Sequence, residues 1–474
     1  MRFAMNMTLR FVIYSFVFAL LLAFCPSVAM GNMPPGESAN KQGPPLTLDD
    51  CIRLATTQNP MVRAAQHGVW GIEERQREAW YSAWLPTLKL RTMLTVIPPQ
   101  GDIAPTEGPD LSEWNVWSRS DLEIVWPLYT FGKLSAVTDM AQHGVDAANA
   151  ILAEARAELR FQVHKAWYAL QLSKALGQVI AEGEKEVDKA RERLDEMEED
   201  DDDEYDQADH QRLKIYAARV RKMVLGNNRI ARMARLGLRL AMNLPDGAPL
   251  NLPEANALEA IEIELEDLDK LVRRAGEQRP EILAQRKRIE IANSNVDLKF
   301  AEYFPDIFLA ANVTAATSTV SNPNSENVFT GGVFNTVGGG GAIGLRLTLD
   351  YPQKITRYRR AQAELAQAES ELAGRLLLLR IKLEETWLEA RDNKEMMELQ
   401  RIAMRAAKSL LTQAVINYKD GFDPDATFGK VLGASVQYHT AKSEWLTAIH
   451  AFNMSVARLS RVVGIDLTKR EEQP

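Results

Sequence analysis

The densest group of chemically reactive side chains in this sequence is an acidic segment, "DEMEEDDDDEYDQADH", which extends from Asp195 to His210. Carboxylates at this density could bind a hard cation such as Ca²⁺, or could favour cations over anions if several copies surrounded a pore. The segment lacks the glycine and terminal glutamate spacing of an EF-hand loop, so a dedicated metal site is not expected. A solvated turn is the third interpretation, because blocks of like charge repel one another and disfavour structure.

Patterns typical of enzymes are missing elsewhere in the sequence. The six histidines form no HExxH or similar spacing, and no GxSxG motif or phosphate-binding loop is present. The run "GGGG", Gly338 to Gly341, lacks the lysine and the following helix that a phosphate loop needs, so we expect it to give flexibility beside a strand. His164 and His210 lie on helical stretches and are expected to be surface or packing residues. The sequence therefore predicts a protein that is not an enzyme and that has neither a cofactor nor a metal ligand set.

The N-terminus has the features of an export signal. Arg2 and Arg10 precede the apolar run "FVIYSFVFALLLAF", and Ser27-Val28-Ala29 fits a small-residue cleavage site. Cys25 raises the question of a lipid anchor, but its neighbours are not the small residues that lipidation needs. We expect cleavage after Ala29 without lipidation, which would leave Cys51 as the single cysteine. Export without disulfides suits a bacterial envelope protein stabilised by packing.

Composition excludes some partners. The formal net charge of -8 and the lack of a basic patch argue against nucleic acid, and a hydrophobic content of 46% allows a sizeable core. After the N-terminal apolar run, no stretch of 18 consecutive apolar residues occurs, so no membrane-spanning helix is expected.

The sequence contains an internal repeat with a period of about 220 residues. Matching pairs occur in the same order in both halves: "AWLPTLKLRTMLTV" with "EYFPDIFLAANVTA", "DLEIVWPLYTFGK" with "LRLTLDYPQKITR", and "VHKAWYALQ" with "LEETWLEAR". A proline-rich segment, "LPDGAPLNLPEANALEA", separates the halves and is a natural linker. Each repeat is predicted to contain a helix, a strand, a loop, a second strand and two very long helices.

These patterns define the expected domain boundaries. The predicted segments are a signal peptide at 1–29, a flexible segment at 30–45, repeat 1 at 46–250, repeat 2 at 251–468 and a C-terminal tail at 469–474. Repeat 1 is predicted to contain strands at about 87–97 and 114–126 and a long helical hairpin at 132–244. Repeat 2 is predicted to contain strands at about 306–315 and 342–351 and a long helical hairpin at 354–463.

The four predicted strands alternate between apolar and polar residues over about ten residues each, the length and period of a membrane β-strand. An ordinary half-buried soluble sheet shows the same alternation. The long polar loops between the strands favour the membrane interpretation. The predicted lipid-facing residues are Leu88, Leu90, Leu94, Leu122, Ile124, Trp126, Ile307, Leu309, Ile343, Leu345 and Leu347.

Four strands cannot close a barrel, and an open sheet edge is not tolerated in lipid. The smallest membrane barrels have about eight strands, so the chain must share a barrel with copies of itself. Three copies would supply twelve strands.

At this point the sequence resembles the TolC-like outer-membrane efflux protein family, the outer membrane factors of tripartite efflux and type I secretion systems. The resemblance covers about 46–468 and is carried by "LTLDDCIRLATTQNP", "VWPLYTFGK" and "NYKDG" in order. It implies a mainly α fold with membrane β structure: a homotrimer with a shared twelve-stranded β-barrel in the outer membrane and a long α-helical barrel of coiled-coil hairpins in the periplasm. It also implies docking onto a periplasmic adaptor (membrane fusion) protein and an inner-membrane transporter.

The repeat places the acidic segment opposite "NYKDGFDPDATFG", where the second long helix breaks. Both breaks would lie at the periplasmic entrance that the resemblance assigns to the far ends of the helices. The candidate tip and gate residues are Glu199, Asp200, Asp201, Asp202, Asp203, Glu204, Tyr418, Asp420, Gly421, Asp423 and Asp425.

The expected function is a passive conduit for efflux of small toxic compounds. Two alternatives stay open at this level. One is a channel for type I protein secretion, and the other is a periplasmic coiled-coil protein with a small soluble sheet.

Overall fold

The computed structural model describes residues 45–97, 115–200, 205–245, 250–252, 258–318, 336–420 and 427–468. The first half contains α1 (Leu48–Gln58), α2 (Pro60–Trp84), β1 (Thr87–Ile97), β2 (Asn115–Tyr129), α3 (Lys133–Glu199) and α4 (Gln207–Ala241). The second half contains α5 (Leu268–Gln278), α6 (Pro280–Ala301), β3 (Asp306–Ser318), β4 (Thr336–Arg346), α7 (Tyr351–Asp420) and α8 (Phe428–Val463). The predicted class, mainly helical with four strands per chain, is confirmed.

Prolines divide the short helices at the same place in each half. Pro60 begins α2 directly after Asn59, whose side chain accepts a hydrogen bond from the Met61 amide at 2.9 Å. Pro280 begins α6 in the same way. Proline is tolerated at the first helical position but disfavours helix in the residue before it. The two X-Pro pairs therefore fix where one helix ends and the next begins.

The helices α3 and α7 are 67 and 70 residues long, so each extends for about 100 Å. Their apolar residues do not form one core but a series of clusters spaced along the bundle. A glycine allows one of the closest helix contacts. A β-carbon at Gly183 of α3 would lie 3.2 Å from the Tyr216 hydroxyl of α4, closer than ordinary van der Waals contact, so the tyrosine would have to shift to accept a side chain there.

The linker between the repeats is held by the second half. Residues 258–267 form neither helix nor strand, and side chains of α7 and α8 hydrogen-bond their backbone. Asn453 of α8 is fully buried, donates a hydrogen bond to the Glu259 carbonyl at 2.7 Å and accepts one from the Ile261 amide at 2.9 Å. Trp387 of α7 donates to the carbonyl of Glu266 at 3.0 Å. Buried backbone groups need hydrogen-bond partners, and here the side chains of Asn453 and Trp387 supply the partners that a neighbouring strand would supply in a sheet.

The strands form one antiparallel sheet in the order β1-β2-β3-β4. The last strand differs from the sequence expectation, which placed it at about 342–351. It extends over Thr336–Arg346 and so includes the run Gly338 to Gly341, to which we assigned only flexibility. Because glycines have no side chains, they cannot contribute to an apolar-polar alternation. The sequence prediction therefore omitted the glycines and placed the strand too far toward the C-terminus.

Within the described residues, no helix is both long enough and apolar enough to cross a membrane.

Candidate functional site: the two-faced sheet and the helix tips

The register of the sheet places the predicted lipid-facing residues on a common face. Residues directly opposite one another on antiparallel strands point to the same side. Leu90 pairs with Leu122, which pairs with Val313 on β3. Leu309 in turn pairs with both Trp126 and Ile343. All but one of the predicted residues lie in the strands and share this face.

The exception is Leu347, which lies one residue beyond the end of β4. It was assigned to the apolar face because the predicted strand was shifted toward its C-terminal end, so its place in a membrane strand is not supported.

The apolar face is uncovered in the single chain. Leu94, Ile343 and Leu88 are 73%, 71% and 62% exposed. A contiguous exposed surface of large aliphatic side chains marks a site that lipid or another protein covers. The face therefore has the chemistry required for contact with hydrocarbon.

The opposite face of the same sheet is charged and hydrogen-bonded. Lys89 pairs with Glu123, and Arg91 pairs with Asp121. The Asp121 carboxylate accepts hydrogen bonds from the Arg119 guanidinium at 2.9 Å and from the Thr314 hydroxyl at 2.8 Å. Such a face is suited to water, so the sheet has one apolar face and one polar face.

A tight turn joins the sheet to the long helices at the motif "VWPLYTFGK". Phe131 and Gly132 both have positive φ, at 51° and 93°, and glycine tolerates this conformation best. Lys133 then begins α3 and donates hydrogen bonds of 2.8 Å to the Phe304 carbonyl and the Asp306 carboxylate. The ring of Phe131 stacks on that of Phe304 at 5.5 Å. The turn of the first repeat is thereby fastened to the strand entry of the second.

The helix ends opposite the sheet contain the acidic segment. Glu199 ends α3, and both it and Asp200 are exposed. The carboxylate of Asp206 accepts a hydrogen bond from the Ala208 amide at 2.8 Å and so caps α4. The candidate residues Asp201, Asp202, Asp203 and Glu204 lie outside the described residues, as do Gly421, Asp423 and Asp425 of the second break.

The structure brings the two tips of one chain together. The hydroxyl of Tyr418, near the end of α7, hydrogen-bonds the Arg193 guanidinium near the end of α3, which raises the pKa of that arginine. At the start of α8, a β-carbon on Gly429 would overlap the carboxylate of Asp209, a buried residue of α4 that also pairs with Arg212. Tyr418 was a predicted site residue. Arg193, Asp209 and Gly429 were not, since nothing in the local sequence indicates contacts over such separations.

A buried polar group connects three helices farther from the tip. Glu186 of α3 accepts a hydrogen bond from the Ser435 hydroxyl of α8 and lies 3.3 Å from Nε2 of His439, also on α8. His439 is buried, and Tyr216 of α4 packs against the same group. His439, Ser435 and nearby Lys189 together hold the pKa of Glu186 below its ordinary value, with His439 the largest cause. Sequence reasoning missed this group because its members are far apart in the chain.

Replacing Glu186 by Gln is expected to make the stability of the fold depend less on pH in the acid range. A lowered folded-state pKa means that the carboxylate stabilises the fold above its ordinary pKa of 4.5 and loses this contribution as the pH falls below that value. Thermal unfolding of the wild type between pH 7 and pH 3.5, followed by circular dichroism, should therefore show a steeper acid decline than Glu186→Gln. Glu184→Gln, an exposed change on the same helix, is the control and should behave as the wild type.

Comparison with known proteins agrees with this geometry. Residues 271–464 match the outer membrane efflux protein family. The fold matches the open-state MtrE outer membrane channel of Neisseria gonorrhoeae, with a TM-score of 0.71 and 17% identity over 90% of this chain and 91% of that one. It also matches the outer membrane protein VceC of Vibrio cholerae, with a TM-score of 0.68 and 18% identity over 89% of this chain and 96% of that one.

The transmembrane channel protein CusC has the same fold, with a TM-score of 0.70 and 15% identity over 88% of this chain and 92% of that one. No curated protein sequence matches the chain. The family match covers most of the second repeat, and the fold of the solved channels extends over both repeats. The second repeat therefore matches the outer membrane efflux protein family, and the chain has the fold of solved outer-membrane channels.

Proposed function

We propose that this chain forms the outer-membrane channel-tunnel of a tripartite export system and acts as a passive conduit for small toxic compounds. The observation that carries the proposal is the two-faced sheet. Within the described residues, β1 and β4 each pair with a strand on one side only. Unpaired backbone groups are costly in hydrocarbon, so copies of the chain must pair their edges until the sheet closes. Three copies give a closed barrel of twelve strands.

The helices also present surfaces for neighbouring copies. Large apolar side chains are exposed along the length of α7 and again along α4. Those on α7 are Tyr351, Ile355, Leu377, Leu378, Ile381, Leu388, Met396, Leu399, Ile402, Leu410 and Ile416, and those on α4 are Ile215, Leu225, Met233, Leu236 and Leu240. Assembly of three chains around one axis would cover these side chains and extend the barrel as a helical tube into the periplasm.

In transport, the chain itself would line the channel and gate its entrance, without making or breaking covalent bonds. The charged sheet face, with Asp121 and its partners, provides a hydrated lumen. The energy for export would come from an inner-membrane transporter, with a periplasmic adaptor joining it to the helix tips. A purified protein that hydrolysed a nucleotide by itself would contradict this passive role.

The acidic tip is proposed to select among permeating ions. Glu199 and Asp200 are exposed at the end of α3, and more carboxylates follow them in the sequence. Three copies would place these groups around one entrance, where their combined field would raise the local concentration of cations and lower that of anions.

The contact between Arg193 and Tyr418 is proposed to hold the tip closed, because it ties α3 to α7 where the hairpins must separate. Tyr418→Phe removes the hydroxyl and keeps the ring, so the open state should become more populated. Because the Arg193 side chain is 49% exposed and solvent weakens the contact, we expect the equilibrium to shift by at most about fivefold per chain. Single-channel recording should show a longer open time, whereas Tyr438→Phe on α8 should leave the open time unchanged. Equal effects of both variants would remove the gating role.

A deletion strain tests the substrate class. Loss of the gene should raise sensitivity to a panel of small toxic compounds, and the wild-type gene should restore resistance. If the deletion instead blocks release of a secreted polypeptide and leaves sensitivity unchanged, the type I secretion alternative is correct. If the protein is released from cells without detergent and never co-fractionates with outer membranes, the soluble coiled-coil alternative is correct.

A further inference from the structure

Three potential metal ligands converge beside the first tip. Asp195 and Glu198 lie three residues apart near the end of α3, so they share one face of the helix. His210 lies in the first turns of α4. Its Nε2 atom is 3.4 Å from Oε2 of Glu198 and 3.9 Å from Oδ1 of Asp195. One ligand atom from each residue can be chosen so that all lie within 4.8 Å of one another.

The imidazole is the unusual member of this group. Nε2 of His210 is shielded from solvent and makes no hydrogen bond with the described residues, although it faces two carboxylates. The edge of the Tyr205 ring packs at 5.9 Å from the imidazole, and the Tyr205 hydroxyl hydrogen-bonds Glu198. A buried nitrogen without a hydrogen-bond partner is costly, so a ligand that accepts its lone pair would be stabilising.

The spacing of the three atoms fits a small borderline cation. Zinc binds histidine nitrogen and carboxylate oxygen at about 2.0–2.2 Å in a tetrahedral arrangement, which places neighbouring ligand atoms roughly 3.4 Å apart. The two distances from Nε2 of His210 are close to this separation. Calcium prefers six to eight oxygen ligands, so an imidazole nitrogen is a poor ligand for it. The ligand set therefore favours Zn²⁺, Co²⁺ and similar divalent ions.

The surrounding charges leave the carboxylates available to a cation. The nearby guanidinium of Arg193 pairs with Glu196, and that of Arg212 pairs with Asp206 and Asp209. Two carboxylates on adjacent turns repel each other, and a divalent ion between them would reverse this repulsion.

We propose that Asp195, Glu198 and His210 form a binding site for one Zn²⁺-like divalent cation per chain, with water completing the coordination. The ion would fasten the last turns of α3 to the first turns of α4 and stabilise this end of the hairpin. The site is built from one chain's own helices, and its test does not depend on transport. Sequence reasoning assigned His210 no ligand role because its carboxylate partners lie on the preceding helix.

Cobalt titration of the purified, detergent-solubilised protein after chelator treatment tests the proposal, since tetrahedral Co²⁺ gives visible absorption bands. The wild type should bind one Co²⁺ per chain with these bands, and Zn²⁺ should displace it. Losing a residue that only supports a ligand lowers metal affinity by about 10- to 100-fold, so His210→Asn should weaken binding by at least about 100-fold. Asp195→Asn should also weaken it and, at an exposed position, leaves the fold intact.

Glu199→Gln is the charge-matched control, because it removes one carboxylate from the same acidic segment without touching the three ligands. It should bind Co²⁺ as the wild type does. Equal weakening by Glu199→Gln and Asp195→Asn would show diffuse attraction to the acidic segment and overturn the site. A wild type without the visible bands, or an unchanged spectrum in His210→Asn, would overturn it as well. Circular dichroism of each variant confirms that the helices are intact.

Discussion

Val313→Arg is expected to prevent assembly of the proposed trimer in outer-membrane fractions, whereas Asn312→Arg is expected to allow it. The two residues are neighbours on β3 and point to opposite faces of the sheet. Val313 pairs with Leu122 on the apolar face, and Asn312 pairs with Glu123 on the charged face. Because both variants introduce the same side chain into the same strand, a difference between them reports the environment of each face.

The expected size of the effect follows from the membrane. An arginine facing lipid near the bilayer midplane costs about 2–4 kcal/mol in each chain, and a trimer contains three such sites. An arginine at Asn312 would face water beside the Glu123 carboxylate and should cost little. Heat-modifiable migration in gels and density-gradient fractionation measure the outcome. If both variants fail to assemble equally, the apolar face is not in contact with lipid.

The second large effect is expected on the exposed side of α7. Leu399 and Ile402 are 53% and 61% exposed in the single chain, and in the proposed trimer they are covered by a neighbouring copy. Changing both to glutamate removes apolar burial of about 1.5–3 kcal/mol per side chain and places charges in the interface. The expected result is a folded, helical chain that no longer forms trimers, as measured by light scattering and circular dichroism in detergent.

A matched double variant controls for added charge. Asn393→Asp with Gln400→Glu adds the same two negative charges to α7 at residues that are already polar. It should assemble as the wild type does. If the control dissociates as readily as Leu399→Glu with Ile402→Glu, the apolar side chains do not form the interface.

The sequence predicted the elements that local patterns determine. The alternation in β1, β2 and β3 was visible because a period of two acts over a few residues. The breaks at Pro60 and Pro280 were not predicted, and they divide into two helices what the sequence analysis gave as one helix in each repeat. The placement of β4 was wrong because Gly338 to Gly341 contribute no side chains to the alternation. The register of the strands places Leu90, Leu122 and Val313 on one face, and it depends on how the strands are aligned in the sheet.

The tip was harder to predict, because its contacts join distant segments. Tyr418 could be selected from the motif "NYKDG", but its partner Arg193 stands in an ordinary charged helix. Likewise, His210 gains carboxylate neighbours only when α3 and α4 fold against each other. Sequence composition located the acidic segment, and tertiary structure was needed to show which of its side chains meet.

Single-channel recording in planar lipid bilayers tests the central claim most directly. Purified wild-type protein should give discrete, stable conductance steps with a preference for cations. Changing Asp200, Asp201, Asp202 and Asp203 to asparagine should preserve the steps and weaken that preference, because the charges at the entrance are removed while the sheet is unchanged. Membrane-inserted trimers that conduct no current would contradict the assignment of this chain as a channel.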